Sequence, residues 1–251
     1  MQKNLQSEDC LTTVPSYRLN VCRIAPVSTA SISDHATAVD AAQRHGFGPR
    51  VRRLHGRIGK AHHQAEGMVF SRALLAGEAT PLQLVALIRA LAPAYAFLEH
   101  RAPELATALG AREIPWGALA RCTALEHDSA KLAGLPDTPP SPAAAEWLER
   151  LALLASEAPH RLMAHVYVRY GGDLSGGQQL AAQAQSILAA HGLPPLEFWA
   201  FSEPIPSLKQ QLHDGFEALE LSGAQEEELL EESERAFLLT QRLLAELAEL
   251  R

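Results

Sequence analysis

The stretch "YVRYGGDLSGGQQLAAQ" (Tyr167–Gln183) places four glycines, Gly171, Gly172, Gly176 and Gly177, within seven residues of otherwise helical sequence. Each glycine inside a helix costs about 0.5–1 kcal/mol relative to alanine. Something must therefore need the missing side chains. Gly172 and Gly176 are spaced i, i+4 and share one helix face. Close helix–helix packing would use such a face, and so would a flat ligand. A phosphate-binding loop is excluded, because no GxxxxGK[ST] pattern occurs and no strand precedes the glycines. A membrane dimer face is excluded by the polar neighbours. Arg169 and Asp173 are also spaced i, i+4 and can pair. Ser175 sits between the glycine pairs. Asp173, one residue from Gly172, could hold a water near whatever approaches.

Outward from this stretch the chain reads as helix. Leucine occurs 39 times in the 251 residues, against 16 for valine plus isoleucine, which favours helix over strand. Helical patterns begin near Pro49. A first long helix is expected over 49–77, closed by Gly77. A second starts at Thr80 with Pro81 in the first position. A third spans 115–134, and a proline-rich loop "LPDTPPSP" follows. Ser141 and Pro142 open the fourth. The fifth runs over 159–192, interrupted at the glycines. "LPPLEFWAF" is a connector, and two helices close the chain over 205–250. No strand run, hairpin or repeat is visible. The expected architecture is all-α: one multi-helix domain over 48–251, preceded by an extension, 1–47, of uncertain order.

Composition narrows the function classes. A net charge of −7 argues against a broad nucleic-acid or anionic-membrane surface. No run approaches the ~20 apolar residues of a membrane span, and the N-terminus has no apolar signal core. Cys10, Cys22 and Cys122 are odd in number and far apart, so neither a disulfide framework nor a zinc site is suggested. A cytoplasmic protein without a membrane anchor is expected.

On the first helix Ile58, His62, Ala65, Val69 and Ala73 fall on one stripe that should face the core. His62 lies in its middle. His63 lies about 100° away, near Gly59, Gly67 and Phe70. A histidine on an apolar face is either a hydrogen-bonded core residue or an axial ligand for iron. Glu66, one turn on, could hold the ring's second N–H or be a solvated carboxylate.

"HRLMAHVYVRYGGDLSGGQQLA" closely resembles the glycine signature of the heme oxygenase family, and "AHHQAEGMVF" resembles that family's proximal helix. "AYAFLE" (94–99), "ALEHD" (124–128), "LKQQLHDGFEALELS" and "ERAFLLTQRLLAEL" resemble further segments in order and spacing, so the likeness covers about 50–250. It implies a heme sandwiched between a proximal and a kinked distal helix. It implies cleavage of heme, with O2 and electrons from a reductase or ferredoxin, to biliverdin, carbon monoxide and ferrous iron. Heme would be both cofactor and substrate. By this resemblance His62 is the proximal iron ligand, with Glu66 behind it. Gly172 and Gly176 let the distal helix cross the heme face, with Ser175 between them. Asp173, with Arg169, anchors a distal water network. Tyr167 and Lys209 approach propionates, and Phe237 is a pocket wall.

Two positions depart from the family pattern. His213 stands where arginine is common, and His55 where some members have lysine. Arg53 or Arg57 could compensate, and the ring carbon attacked is open. Arg50, Arg52, Arg53, Arg57 and Lys60 could dock an acidic ferredoxin or flavoprotein, or could form a solvated face. His165 reads as a core or hydrogen-bonding residue. His35, His45, His100, His127, His160 and His191 read as surface residues. "EEELLEESE" reads as a solvated helix face. A non-catalytic heme sensor or carrier is the alternative; the intact Asp173 and glycine pattern favour the enzyme.

Overall fold

A computed structural model describes residues 47–250. The expected extension 1–47 lies outside the described residues except for Phe47. Among these residues the chain forms ten helices and no strand. They are α1 (Pro49–Glu66), α2 (Val69–Ala76), α3 (Pro81–Ala108), α4 (Trp116–Leu119), α5 (Cys122–Lys131), α6 (Pro142–Glu157), α7 (Pro159–Asp173), α8 (Gly176–Ala190), α9 (Ile205–Glu217) and α10 (Gly223–Glu249).

Local chemistry sets most boundaries. Thr80 and Gln83 form a reciprocal cap at the start of α3, with Pro81 in the first turn. Ser141 accepts from the Ala144 N–H at the start of α6. Gly77 closes α2 at φ +75°, a left-handed conformation in which an L side chain is strained. The expected long first helix is two helices. The backbone turns at Gly67, and Met68 is extended at ψ 154°. That turn rotates the apolar stripe. Val69 is 61% exposed, and Phe70 is buried in its place. The expected third helix also divides, at Ala120–Arg121.

α3 is the central core helix. By length and composition it could cross a membrane, but 61% of its most apolar window is buried inside the fold. α10 packs along both α7 and α1. Glu217, at the end of α9, accepts the Arg50 N–H at 3.2 Å and the Val51 N–H at 2.7 Å. Its carboxylate satisfies orphan donors at the positive end of α1.

Behind α7 lies a buried polar knot. The Trp147 indole N–H donates to His165 Nδ1 at 3.1 Å, which leaves Nε2–H to donate to Glu232 Oε1, also at 3.1 Å. Arg150 Nε donates to the same carboxylate oxygen at 3.0 Å. His165 and Glu232 are fully buried. Burial pushes the Glu232 carboxyl up, but its bonds from His165 and Arg150 outweigh this and hold it at about 2. His165 thus has the expected hydrogen-bonding role. The acidic run is only partly a solvated face, because Glu232 and Ser233 point into the core. His160, expected at the surface, is 7% exposed and pairs with Glu228 at 2.7 Å. Both corrections have one cause: α7 and α10 pack face to face, so a polar residue on either can be enclosed by the other. Removing one partner strands the rest. Glu232→Ala is expected to lower the unfolding free energy by about 3 kcal/mol. Urea denaturation measures it, and a loss near zero would place the knot outside the cooperative core.

Candidate functional site: two helices around a glycine face

The break between α7 and α8 falls at Leu174–Ser175, where Ser175 adopts φ −115°, ψ −102°. Around it the residues divide by side. Gly172, Ser175 and Gly176 are exposed, whereas Asp173, Leu174 and Gly177 point inward. A Cβ built on Gly172 or Gly176 would meet no atom within 4 Å. Helix packing therefore does not explain these two glycines. Gly177 is different: its Cβ would stand 3.0 Å from Trp199 Cδ1 and 3.2 Å from the Gly172 carbonyl. It admits the Trp199 ring behind the break. Gln178 Nε2 reinforces the bend by donating to the Asp173 carbonyl at 3.0 Å and the Trp199 carbonyl at 3.2 Å.

The connector carrying Trp199 is itself pinned. Asp128, fully buried, accepts the Glu197 N–H at 2.7 Å and the Phe198 N–H at 2.8 Å. Arg121, also buried, donates to the Phe198 carbonyl at 3.1 Å and lies 3.9 Å over the Phe201 ring.

Asp173 ends α7 and is 3% exposed. The Tyr95 hydroxyl, from α3, donates to its Oδ2. Arg169 Nε reaches the same tyrosine oxygen at 3.4 Å and its terminal nitrogen lies 3.9 Å from Asp173 Oδ1. The guanidinium stands 5.4 Å from the Trp147 ring centroid and 5.7 Å from that of Tyr95. The Arg169–Asp173 spacing is thus a buried pair bridged by Tyr95, not a surface pair. Burial raises the Asp173 carboxyl above the ordinary carboxylate value; Arg169, the Tyr95 hydrogen bond and Arg121 pull it back. Such a group can keep a proton into a milder pH range than a surface aspartate.

Near the end of α1, the His62 side chain is 46% exposed, not enclosed in the core. The turn at Gly67 removes the residues that would have continued its stripe. Its ring meets Phe237 of α10 edge-on at 5.9 Å. Glu66 Oε1 lies 3.7 Å from His62 Nδ1, and Glu66 Oε2 lies 3.4 Å from His63 Nδ1. Gln241, one turn beyond Phe237, donates to the carbonyl of Ala61 at 3.0 Å. α10 also reaches the distal side, where Thr240 Oγ1 lies 3.5 Å from Arg169.

At the other end of α1, Phe47 stacks on His55 at 4.8 Å and meets His213 edge-on at 4.7 Å. Tyr167 closes this group, 6.0 Å from His55 and 6.3 Å from His213. The Tyr167 hydroxyl is buried without a hydrogen-bond partner among the described residues. Lys209 stands one turn before His213 on α9; burial first, then His55 and Lys209, lower the His213 pKa. The expected basic patch is largely neutralised. Arg50 and Arg53 pair with Glu226, at 3.4 Å and 2.6 Å, and Arg57 pairs with Glu227. Arg52 and Lys60 stay exposed.

The face fits a heme. His62 offers a half-exposed imidazole, Gly172 and Gly176 a side-chain-free backbone, Tyr167 a phenol without a hydrogen-bond partner among the described residues, and Asp173 a buried carboxylate next in sequence to Gly172. Such a fold and such residues suit an all-helical protein that binds heme. Residues 51–246 match the model of the family described as heme oxygenase. Heme oxygenase 1 of Pongo abelii is 33% identical over 206 residues, covering 76% of this chain and 69% of that protein. Heme oxygenase of Rhodella violacea is 28% identical, covering 75% and 82%. Among solved structures, heme oxygenase-1 of Synechocystis in complex with heme superposes with a TM-score of 0.72 at 26% identity, covering 80% of this chain and 92% of that one. Heme oxygenase from Leptospira interrogans gives 0.69 at 26% identity, covering 79% and 100%. The chain belongs to the heme oxygenase family. It is an enzyme that binds and degrades heme.

The residues that sequence reasoning missed are long-range. Tyr95 lay in a recognised segment, "AYAFLE", without an assigned role. Arg121, Trp199, Gln241 and Thr240 carry no local signal, because each acts through a partner distant in sequence.

The His213 environment gives a pH prediction. Burial, then His55 and Lys209, lower its imidazole to about 4, against about 6.5 unfolded. Between these values the unfolded chain binds the additional proton, so stability is full above about 6.5 and falls as the pH drops toward 4. Chemical denaturation of the heme-free protein at pH 7 and 4.5 is expected to differ by about 2–3 kcal/mol more in the wild type than in His213→Leu.

Proposed function

We propose that this enzyme opens heme with O2 and electrons from a reductase or ferredoxin. The observation that carries the site assignment is the open face over Gly172 and Gly176 beside the buried Asp173. When bound, heme supplies the oxygen-binding iron and is itself the ring that is oxidised. The protein supplies ligand, orientation and protons. His62 would hold the iron, with Glu66 near its Nδ1 and Phe237 against its ring. Gly172 and Gly176, with Ser175 between them, would bring backbone rather than bulky side chains to the heme. Asp173 holds water there and delivers a proton, while Tyr95 and Arg169 fix its carboxylate. Tyr167 and Lys209 receive the propionates, and His213 and His55 stand where cationic partners would otherwise serve. Residues 48–251 form the catalytic domain, supported by the family match over 51–246. A cytoplasmic location is part of this reading, supported by the cysteine pattern of the sequence.

Two variants test the reading. Gly172→Ala adds a methyl group where nothing stands within 4 Å. It is expected to raise the melting temperature of the heme-free protein slightly, worth up to about 1 kcal/mol, while lowering heme affinity or turnover. Unchanged turnover would remove the glycine face from the site. Asp173→Asn is expected to retain heme and to lose at least about 100-fold in biliverdin formation, the scale of a positioned proton donor. Wild-type biliverdin production, followed by chromatography, would exclude the Asp173 role.

A further inference from the structure

The proposed chemistry uses His62 and leaves His63 without a task. His62, His63 and Glu66 nevertheless stand together at the end of α1. One ligand atom from each lies within 4.8 Å of the other two. Glu66 is the centre of the group, at 3.7 Å from His62 Nδ1 through one oxygen and 3.4 Å from His63 Nδ1 through the other. The side chains are 46%, 81% and 55% exposed in that order. They can close on an ion by rotamer changes alone, without repacking the core. The helix ends at Glu66 and turns at Gly67, so no following turn of α1 crowds the carboxylate.

The donor set is chemically selective. Two imidazoles and one carboxylate suit zinc, ferrous iron and cobalt better than calcium or magnesium, which prefer oxygen ligands. Three protein ligands leave the remaining positions to water. We propose that the heme-free enzyme binds one divalent transition-metal ion through His62, His63 and Glu66, and that this ion and heme exclude each other. The exclusion rests on the assignment of His62 as the axial ligand. Ferrous iron, the class of ion that heme cleavage liberates, is a chemical match for this site. Occupancy by such an ion would hold His62 away from the next heme and slow reloading.

The test uses the full-length heme-free protein with Zn2+ by calorimetry and Co2+ by visible absorption. One ion per chain is expected. His63→Ala and Glu66→Gln should each weaken binding at least about tenfold, since losing even a supporting partner of a metal ligand costs that much. Circular dichroism should show unchanged helicity, because all three residues are exposed. Hemin should displace the zinc, and His63→Ala should bind hemin with the wild-type absorption spectrum. Absence of saturable one-to-one binding, or zinc binding unchanged in His63→Ala, would overturn the proposal. So would zinc that stays bound at full hemin occupancy. His62→Ala separates the two assignments: loss of zinc with an unaltered heme spectrum upholds the metal site and removes His62 as the axial ligand.

Discussion

A buried carboxylate must be paired, and the pairing of Asp173 organises the distal half of the molecule. Leaving an ionised group unpartnered in the interior costs several kcal/mol. Tyr95 from α3 and Arg169 from one turn earlier on α7 meet that demand. Arg169 is in turn enclosed by the Tyr95 and Trp147 rings and reaches Thr240 on α10. One charge thus ties together four helices, α3, α6, α7 and α10, at the end of α7. α7 ends there, the chain turns at Leu174–Ser175, and Gly172 and Gly176 are left exposed next to the buried carboxylate.

The four glycines turn out to serve different ends. Gly172 and Gly176 keep one face clear, while Gly177 admits Trp199 to the other. The bend is wedged from behind by an aromatic ring whose connector is pinned by Asp128 and Arg121. The distal backbone is therefore preorganised before any ligand arrives, which is where a protein best invests electrostatic and steric control. Gly171, whose Cβ would meet nothing within 4 Å, has no contact that explains it.

Much of this was legible in the sequence. Helical composition, Thr80, Ser141 and Gly77 located most helices, since caps act within a few residues. The glycine signature and its distance from "HHQAE" pointed to the family that the match over residues 51–246 shows. What could not be read was the direction that each side chain takes once helices pack. His62 was expected in the core, but the turn at Gly67 redirects the stripe and leaves it half-exposed. The arginines of α1 read as a free basic face, but their acidic partners lie some 170 residues away on α10. His160 and Glu232 looked like surface residues for the same reason. Local pattern fixes periodicity; the partner that decides burial is set by topology.

α10 touches both walls of the site. Phe237 and Gln241 meet the His62 segment, and Thr240, on the next face of the same helix, meets Arg169. A single continuous helix of 27 residues thus ties the last turns of α1 to the buried Arg169–Asp173 pair, so the spacing of the two segments is set by the length of helix between Phe237 and Gln241 and not by a loop.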